Sequence, residues 1–371
     1  MRYRKFFNLF CLFILSDILI ITSSCKEGVA EPHFNVLTSE TLVKLQSAAD
    51  LTITKYNTAG LAAYISVEGE GELFITRGVS NLVTNEPMNA NNYYRLASIT
   101  KTFTTEAVLI LADEGKIDLN KSVSYYLPEL KLPGDDKITI RMLGNMTSGL
   151  YDYVRDEIWT TPYQKLNGQL IITLADIVAV IAMHPLNFTP GTRHEYCNSN
   201  TVILGLLIQK VTGKTVKDVL NEKIFLPLGM TNTYWPTSVY LPYPYTHGYW
   251  TDKDVTNWSP SHADAAGILI SNLADLKIWI KEINEGNLLS PGARNERFKW
   301  VDKDGKGIEF YGFGLSKGHG WIGHSGQIYG YNTIMYYHPE KKITIILYTN
   351  RSDGEPAGAA FTDFAQILGA W

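Results

Sequence analysis

The chain predicts an α+β fold: an antiparallel sheet formed from both chain ends and flanked by helices, with a mainly helical subdomain inserted between them. Two observations carry this. Strand-type alternation appears near the start, over Leu61–Glu68 and Glu72–Gly78, and returns only at the end of the chain. Between them the apolar residues recur with helical spacing. A third observation allows it: 45% hydrophobic and 19% charged residues is an ordinary globular composition, rich enough for a large core.

Taken in order, a helix is expected over Thr41–Lys55, and the two early strands turn across Gly69-Glu70-Gly71 as a hairpin. Thr100–Glu114 is periodic and closes on Gly115. Leu174–Met183 follows Thr173 as N-cap, and Ser199–Val211 closes on Gly213. Thr215–Ile224 and Leu273–Glu285 read as helices with Thr215 and Ser271 as caps. The late strands are Phe310–Ser316, Trp321–His324, Thr333–Tyr337 and Ile343–Tyr348, with a last helix from about Ala357. The helical subdomain spans about residues 105–260 of a catalytic domain over 39–371.

Residues 1–24 have the form of an export signal. Arg2, Arg4 and Lys5 precede an apolar run from Phe6 to Ile21, too short for a membrane span. The run ends in Thr22-Ser23-Ser24-Cys25, where small residues before a cysteine fit a lipoprotein cleavage site. The expectation is lipidation at Cys25, a tether over 25–38, and an exported protein of the cell envelope. Membrane contact then comes through the lipid anchor only. Cys11 lies inside the signal, so Cys197 is the one cysteine left to the folded domain and no internal disulfide can form.

The net charge of −4 and the lack of a basic stripe give no electrostatic case for nucleic acid. The histidines are scattered, no H-E-x-x-H occurs, and His184 and His194 straddle a proline-containing turn as surface or capping residues. No metal or cofactor is expected. The expected partner is a small-molecule or peptide substrate.

The chemistry gathers at Ser98-Ile99-Thr100-Lys101. Positions i and i+3 at a helix start share one face. Serine is a weak nucleophile and needs a base within hydrogen-bond reach. An amine near a helix N-terminus feels positive potential, which disfavours its protonated form. The neutral amine can accept the serine proton, and the same helix end aims a free N–H at an oxyanion. Alone, the pair also fits a capping serine beside a solvated lysine, and it recurs at Ser23–Lys26 inside the signal.

Two further elements support it. Tyr196-Cys197-Asn198 precedes a helix; its tyrosine can shuttle a proton beside a cation, and Asn198 can bond Lys101 and a substrate acyl amide. His324-Ser325-Gly326 lies among the late strands, where a strand can pair with an extended substrate. Gly326 admits a bulky acyl group, and the Gln327 N–H can complete an oxyanion hole. Ser98, Lys101 and Tyr196 are the catalytic candidates; Asn198, His324, Ser325, Gly326 and Gln327 are the substrate and oxyanion candidates.

Two look-alikes are set aside. Tyr348-Thr349-Asn350 repeats the tyrosine–asparagine spacing at the end of a strand. Gly314-Leu315-Ser316-Lys317-Gly318 matches the G-x-S-x-G elbow, which needs a helix after the serine, whereas another strand follows here.

With these motifs the chain resembles the serine penicillin-recognising enzymes: low-molecular-weight penicillin-binding proteins, class C β-lactamases and, in particular, secreted actinomycete D-alanyl-D-alanine carboxypeptidases. Ser98–Lys101 matches S-x-x-K, Tyr196–Asn198 matches Y-x-N, and His324-Ser325-Gly326 matches the third motif, K-T-G or H-T-G. Similar segments include Ala112–Lys116, Thr147–Tyr153, Thr189-Pro190-Gly191 and Pro227–Thr231, so the resemblance runs over about residues 35–371. It implies the β-lactamase/transpeptidase-like fold and an acyl-enzyme on Ser98. Ser325 replaces a threonine, and Ser316 stands where the relatives' arginine for the substrate carboxylate is expected. The resemblance points first to the D-Ala-D-Ala end of peptidoglycan stem peptides. β-Lactamase, small-ester esterase and D-amino-acid peptidase activities share the same machinery. An inactive cell-wall-binding or sensor module is the reading from another class; it would form a stable adduct yet turn nothing over.

Lipidation has a direct check. Expressed in a bacterial host, the wild type should partition into membranes, and Cys25→Ser should be released or left unprocessed. Mass spectrometry showing an unmodified N-terminus at another residue would refute it.

Overall fold

Strand β1 (Gly60–Val67) turns at Gly69-Glu70 into β2 (Gly71–Asn81), the hairpin expected from the sequence. The computed structural model describes residues 36–371, so the export segment, Cys25, most of the tether and the Ser23–Lys26 pair lie outside the described residues. The described residues form one compact unit. Short β3 (Glu86–Pro87) follows, and the remaining sheet strands come from the end of the chain: β4 (Val301–Asp302), β5 (Glu309–Tyr311), β6 (Ser316–Gly318), β7 (Trp321–Ile328), β8 (Tyr331–His338) and β9 (Ile343–Thr349). They form one nine-stranded sheet in the order β3-β2-β1-β9-β8-β7-β6-β5-β4. β1 and β9 join the two chain ends, pairing antiparallel from Leu61 opposite Thr349 to Val67 opposite Ile343.

Alternation assigns each side chain to a face. Ala63, Ile65, Ile345 and Leu347 point to an outer layer made by α1 (Ser39–Tyr56) and α5 (Pro356–Ile367), where Leu45, Ala49 and Phe364 meet them. Ala62, Tyr64, Met335, Ile346 and Tyr348 point to the opposite face and the helical core. That core holds α2 (Thr100–Asp113), α3 (Asn198–Thr212) and α4 (Leu273–Glu285).

Helix α2 is buried on all sides from Thr100 to Leu111, which periodicity alone does not reveal. Its polar residues are therefore paired. Thr104 Oγ1 donates to the Ala265 carbonyl at 2.8 Å, and Thr102 Oγ1 accepts from Trp279 Nε1 at 2.8 Å. Glu106 pairs with buried Arg297. Phe103 stacks on Trp279, centroids 4.1 Å apart.

The expected caps at Thr173 and Thr215 are present, the first as a full capping box. The cap of α4 is Asn272, whose Oδ1 accepts from Asp275 N at 3.0 Å; Ser271 instead bonds Thr233. The helix begun at Thr215 runs on through a π-turn at Asn221–Phe225 to Leu228. Phe310–Ser316 is not one strand but β5 and β6 with a bend between them. Gly314, at φ 76°, makes that bend because a Cβ there would strike Thr105 of α2.

Candidate active site

The turn that carries Ser98 is held on two sides. A one-turn 3₁₀ segment, Ala97–Ile99, leads into α2. Leu96 N donates to the Leu269 carbonyl at 2.8 Å, and Leu269 N donates to Thr100 Oγ1 at 3.1 Å. On the sheet side Thr333 Oγ1 donates to the Leu96 and Gly326 carbonyls, at 3.1 and 3.2 Å. Ala97 has φ 50°, a left-handed conformation that costs a non-glycine residue about 1–2 kcal/mol. The packing on both sides fixes that conformation, and Ser98 stays part-exposed to the cleft.

Lys101 is fully buried, and its Nζ has three partners: Ser98 Oγ at 3.0 Å, Asn198 Oδ1 at 2.7 Å and the Ala266 carbonyl at 2.8 Å. Burial away from water lowers its pKa to about 7; the nearby Asp152 carboxylate opposes that shift. Near neutral pH a large share of Lys101 is therefore unprotonated and facing the serine oxygen.

Asn198 opens α3. Asp152, itself buried, accepts from Asn198 N at 3.1 Å and from Nδ2 at 3.1 and 3.3 Å. This fixes the amide so that its oxygen faces Lys101. The sequence reading also gave Asn198 to a substrate acyl group; in the structure the amide's donors are directed to Asp152. Tyr196 is half-buried in the cleft wall, with Lys101 Nζ 5.1 Å from its ring centroid. Burial raises its pKa, and a hydrogen bond with Ser98 works the other way. The phenol therefore keeps its proton at neutral pH.

The third motif forms β7. It pairs with β8 along its length but with β6 only from Trp321 to Gly323. Among the described strands, none covers that edge over residues 324–328. Ser325 and Gln327 are exposed along it, and the Gln327 side-chain amide bonds the Ser352 carbonyl. His324 is buried between Tyr311 and its own strand: Nε2 meets the Tyr311 hydroxyl at 3.0 Å and Nδ1 meets the Ser325 carbonyl at 2.5 Å. Burial lowers its pKa to about 3, with Lys101 adding to the effect, so it is neutral and holds Tyr311. Gly326 lines the cleft and also meets a packing constraint. A Cβ there would come within 2.5 Å of the Leu96 carbonyl, so the residue must be glycine for the Ser98 turn to sit on β7.

The look-alikes separate from the site. Tyr348 stacks on Tyr94 at 3.7 Å, and Asn350 Oδ1 accepts from Gly60 N at 2.6 Å. Ser316 lies within β6, opposite Gly323 and Tyr311, with no helix after it. Lys317 points off the other face, 5.6 Å from the Trp300 ring centroid. His184 ends its helix, bonded to Asp156 at 2.7 Å and stacked on Tyr151. Among the described residues no three His, Cys, Asp or Glu side chains gather as a metal site would require.

The cleft has a volume of about 830 Å³, with Ser98, Tyr196, Asn198 and the β7 edge in its walls. Sequence reasoning missed Asp152, Tyr311 and the Ala266 carbonyl. Asp152 lies in the Thr147–Tyr153 segment that carries part of the resemblance, but nothing local marks it as the partner of residue 198.

A family model described as Beta-lactamase matches residues 41–368. The chain belongs to the β-lactamase family. Within that family it is 27% identical over 301 residues to penicillin-binding protein 4* of Bacillus subtilis (strain 168), covering 74% of this chain and 64% of that protein. Protein flp of Staphylococcus aureus is 28% identical over 255 residues, 66% of this chain and 49% of the relative. The chain thus spans about half to two thirds of the length of these curated relatives. Among solved structures, a D-stereospecific amidohydrolase from Streptomyces sp. superposes with TM-score 0.80 at 28% identity, over 89% of this chain and 99% of the other. D-amino acid amidase from Ochrobactrum anthropi SV3 gives 0.78 at 25% identity, over 90% and 98%. The fold of this β-lactamase-family member is the β-lactamase/transpeptidase fold expected from its motifs.

Asp152 offers a discriminating test. Its charge favours protonated Lys101, so Asp152→Asn should move the acidic limb of kcat/KM to lower pH. Loosened Asn198 should lower the plateau as well. A limb that stays in place while the plateau falls would leave Asp152 a purely structural role.

Proposed function

We propose that this chain is a serine amidohydrolase that works through an acyl-enzyme on Ser98 and accepts amides whose acyl half is a D-amino acid. The observation that carries this is the Lys101 amine, with its pKa near 7, 3.0 Å from Ser98 Oγ. In the first step Ser98 Oγ attacks the substrate carbonyl carbon and its proton passes to Lys101 Nζ. Backbone N–H groups of Ser98 and Gln327 receive the oxyanion. As the C–N bond breaks, the Tyr196 phenol gives its proton to the leaving nitrogen and is reprotonated from the Lys101 ammonium. Water then attacks the Ser98 ester, its proton takes the reverse route, and the acid is released with the serine regenerated. The opposite pKa shifts support this division: a neutral amine as base, a protonated phenol as acid.

The substrate class rests on similarity and on one local feature. The matched solved proteins include a D-stereospecific amidohydrolase and a D-amino acid amidase. The D-Ala-D-Ala terminus anticipated from the motifs is also a D-aminoacyl amide. Among the described residues no cation takes the arginine's place at Ser316: Lys317 faces away and the rim lysine, Lys303, is paired with Glu309 at 3.0 Å. A neutral leaving group therefore fits better than a free carboxylate.

Labelling with a fluorophosphonate probe tests the reading. Ser98→Ala should abolish the adduct and Ser316→Ala should keep it. Lys101→Ala and Tyr196→Phe should each lower amide turnover by about a hundredfold or more, the scale of general acid–base groups. Blocking the C-terminal carboxylate of a good peptide substrate should cost less than about tenfold in kcat/KM, below the scale of a charged hydrogen bond. Adduct formation at the wild-type rate in Ser98→Ala would overturn the assignment.

A further inference from the structure

The two ends of the cleft differ in chemistry. Ser98 sits opposite Gly326, partway along β7. Toward the start of β7 the walls carry hydroxyl and charged groups, Ser316, Tyr311 and the Lys303–Glu309 pair, beside the Trp321 and Trp371 rings. Beyond the end of β7 they are aromatic. Tyr329 and Tyr163 stack with centroids 5.4 Å apart, and Trp250 meets Tyr329 edge-on at 5.1 Å. Ile172 and His262 line the same end.

These rings are fixed from behind. The Tyr163 hydroxyl donates to the Ser259 carbonyl at 2.7 Å, and Gln164 Nε2 donates to the Tyr329 hydroxyl at 2.9 Å. Buried Trp258 supports both, 5.5 Å from Tyr163 and 4.9 Å from Tyr329. Gly168, at φ 69°, is where a Cβ would strike Trp258. A fixed aromatic wall binds a flat apolar group with little ordering cost.

The position of Tyr196 tells which half of the substrate meets this wall. Its ring lies at the polar end, 6.1 Å from Tyr311 and 6.0 Å from His324. The group that protonates the leaving atom must stand beside it, so the leaving group departs at the polar end. The acyl group then extends the other way. We propose that Tyr163, Trp250, Tyr329 and Ile172 form an acyl-side subsite that selects substrates with an aromatic acyl group, such as amides or esters of aromatic amino acids. The proposal rests on acylation of Ser98.

A pair of p-nitrophenyl esters tests it: 3-phenylpropanoate against propanoate, with the same leaving group and similar intrinsic reactivity. The readouts are p-nitrophenolate release and the acyl adduct on Ser98 by mass spectrometry. The wild type should acylate at least tenfold faster with the phenyl ester, about 1.4 kcal/mol in favour of the aromatic acyl group. That ratio should fall at least threefold in Tyr329→Leu and in Trp250→Leu, and persist in Tyr329→Phe. Adduct formation from the propanoate ester reports that each variant is folded. Equal rates in the wild type, or a ratio untouched by both leucine variants, would overturn the subsite while leaving the acyl-enzyme intact. Absence of any adduct on Ser98 would instead remove the reading beneath it.

Discussion

A lysine amine held without water is the constraint on which the rest of this structure depends. The Lys101 side chain is wholly buried, and an isolated ammonium there would be costly. Three acceptors meet it, but two are neutral oxygens of Asn198 and Ala266 and the third is Ser98 itself. None carries a full charge. The site is thus polar enough to accept the amine and too weakly charged to fix its proton. The counter-charge that acts on it, Asp152, is hydrogen-bonded to Asn198 instead.

Much of the fold serves that placement. Helix α2 runs through the middle of the protein with every face covered, which removes solvent from Lys101 and holds Ser98 in register one turn away. The surrounding threonines satisfy backbone carbonyls, so the burial leaves few polar groups unpaired. The Glu106–Arg297 pair locks the same helix to the segment leading into β4. On the other side, β7 comes close enough to Ala97 that only glycine fits at 326. The strained φ of Ala97 is sustained by this contact from both sides, the usual way backbone strain persists at a functional turn.

The sequence made the frame and the candidate site groups legible because they leave local marks. Alternation gave the hairpin and the late strands, caps at Thr173 and Thr215 gave helix starts, and S-x-x-K with Y-x-N gave Ser98, Lys101, Tyr196 and Asn198. What stayed hidden depends on contacts distant along the chain. Asp152 and Asn198 are 46 positions apart, and Ala266 offers a backbone carbonyl, which has no side-chain signature. His324 was placed on a strand, whereas Gly326 lay beyond the expected strand end and falls inside β7; the partners of both, Tyr311 and the Leu96–Ala97 turn, came from packing. The break between β5 and β6 depends on Thr105 of a distant helix, so no local pattern announces it.

On the proposed mechanism Ser98 is a base-dependent nucleophile, so the protonation state of one amine decides whether this arrangement can react. Protein labelled with ¹³C at lysine Cε can be titrated by NMR, with the Lys101 signal identified by its loss in Lys101→Met. A midpoint near 7 is the predicted result, matching an amine desolvated by α2, α3 and the Ala266 loop. A midpoint near the ordinary lysine value of about 10 would leave Lys101 a cation at neutral pH and contradict its role as the base for Ser98.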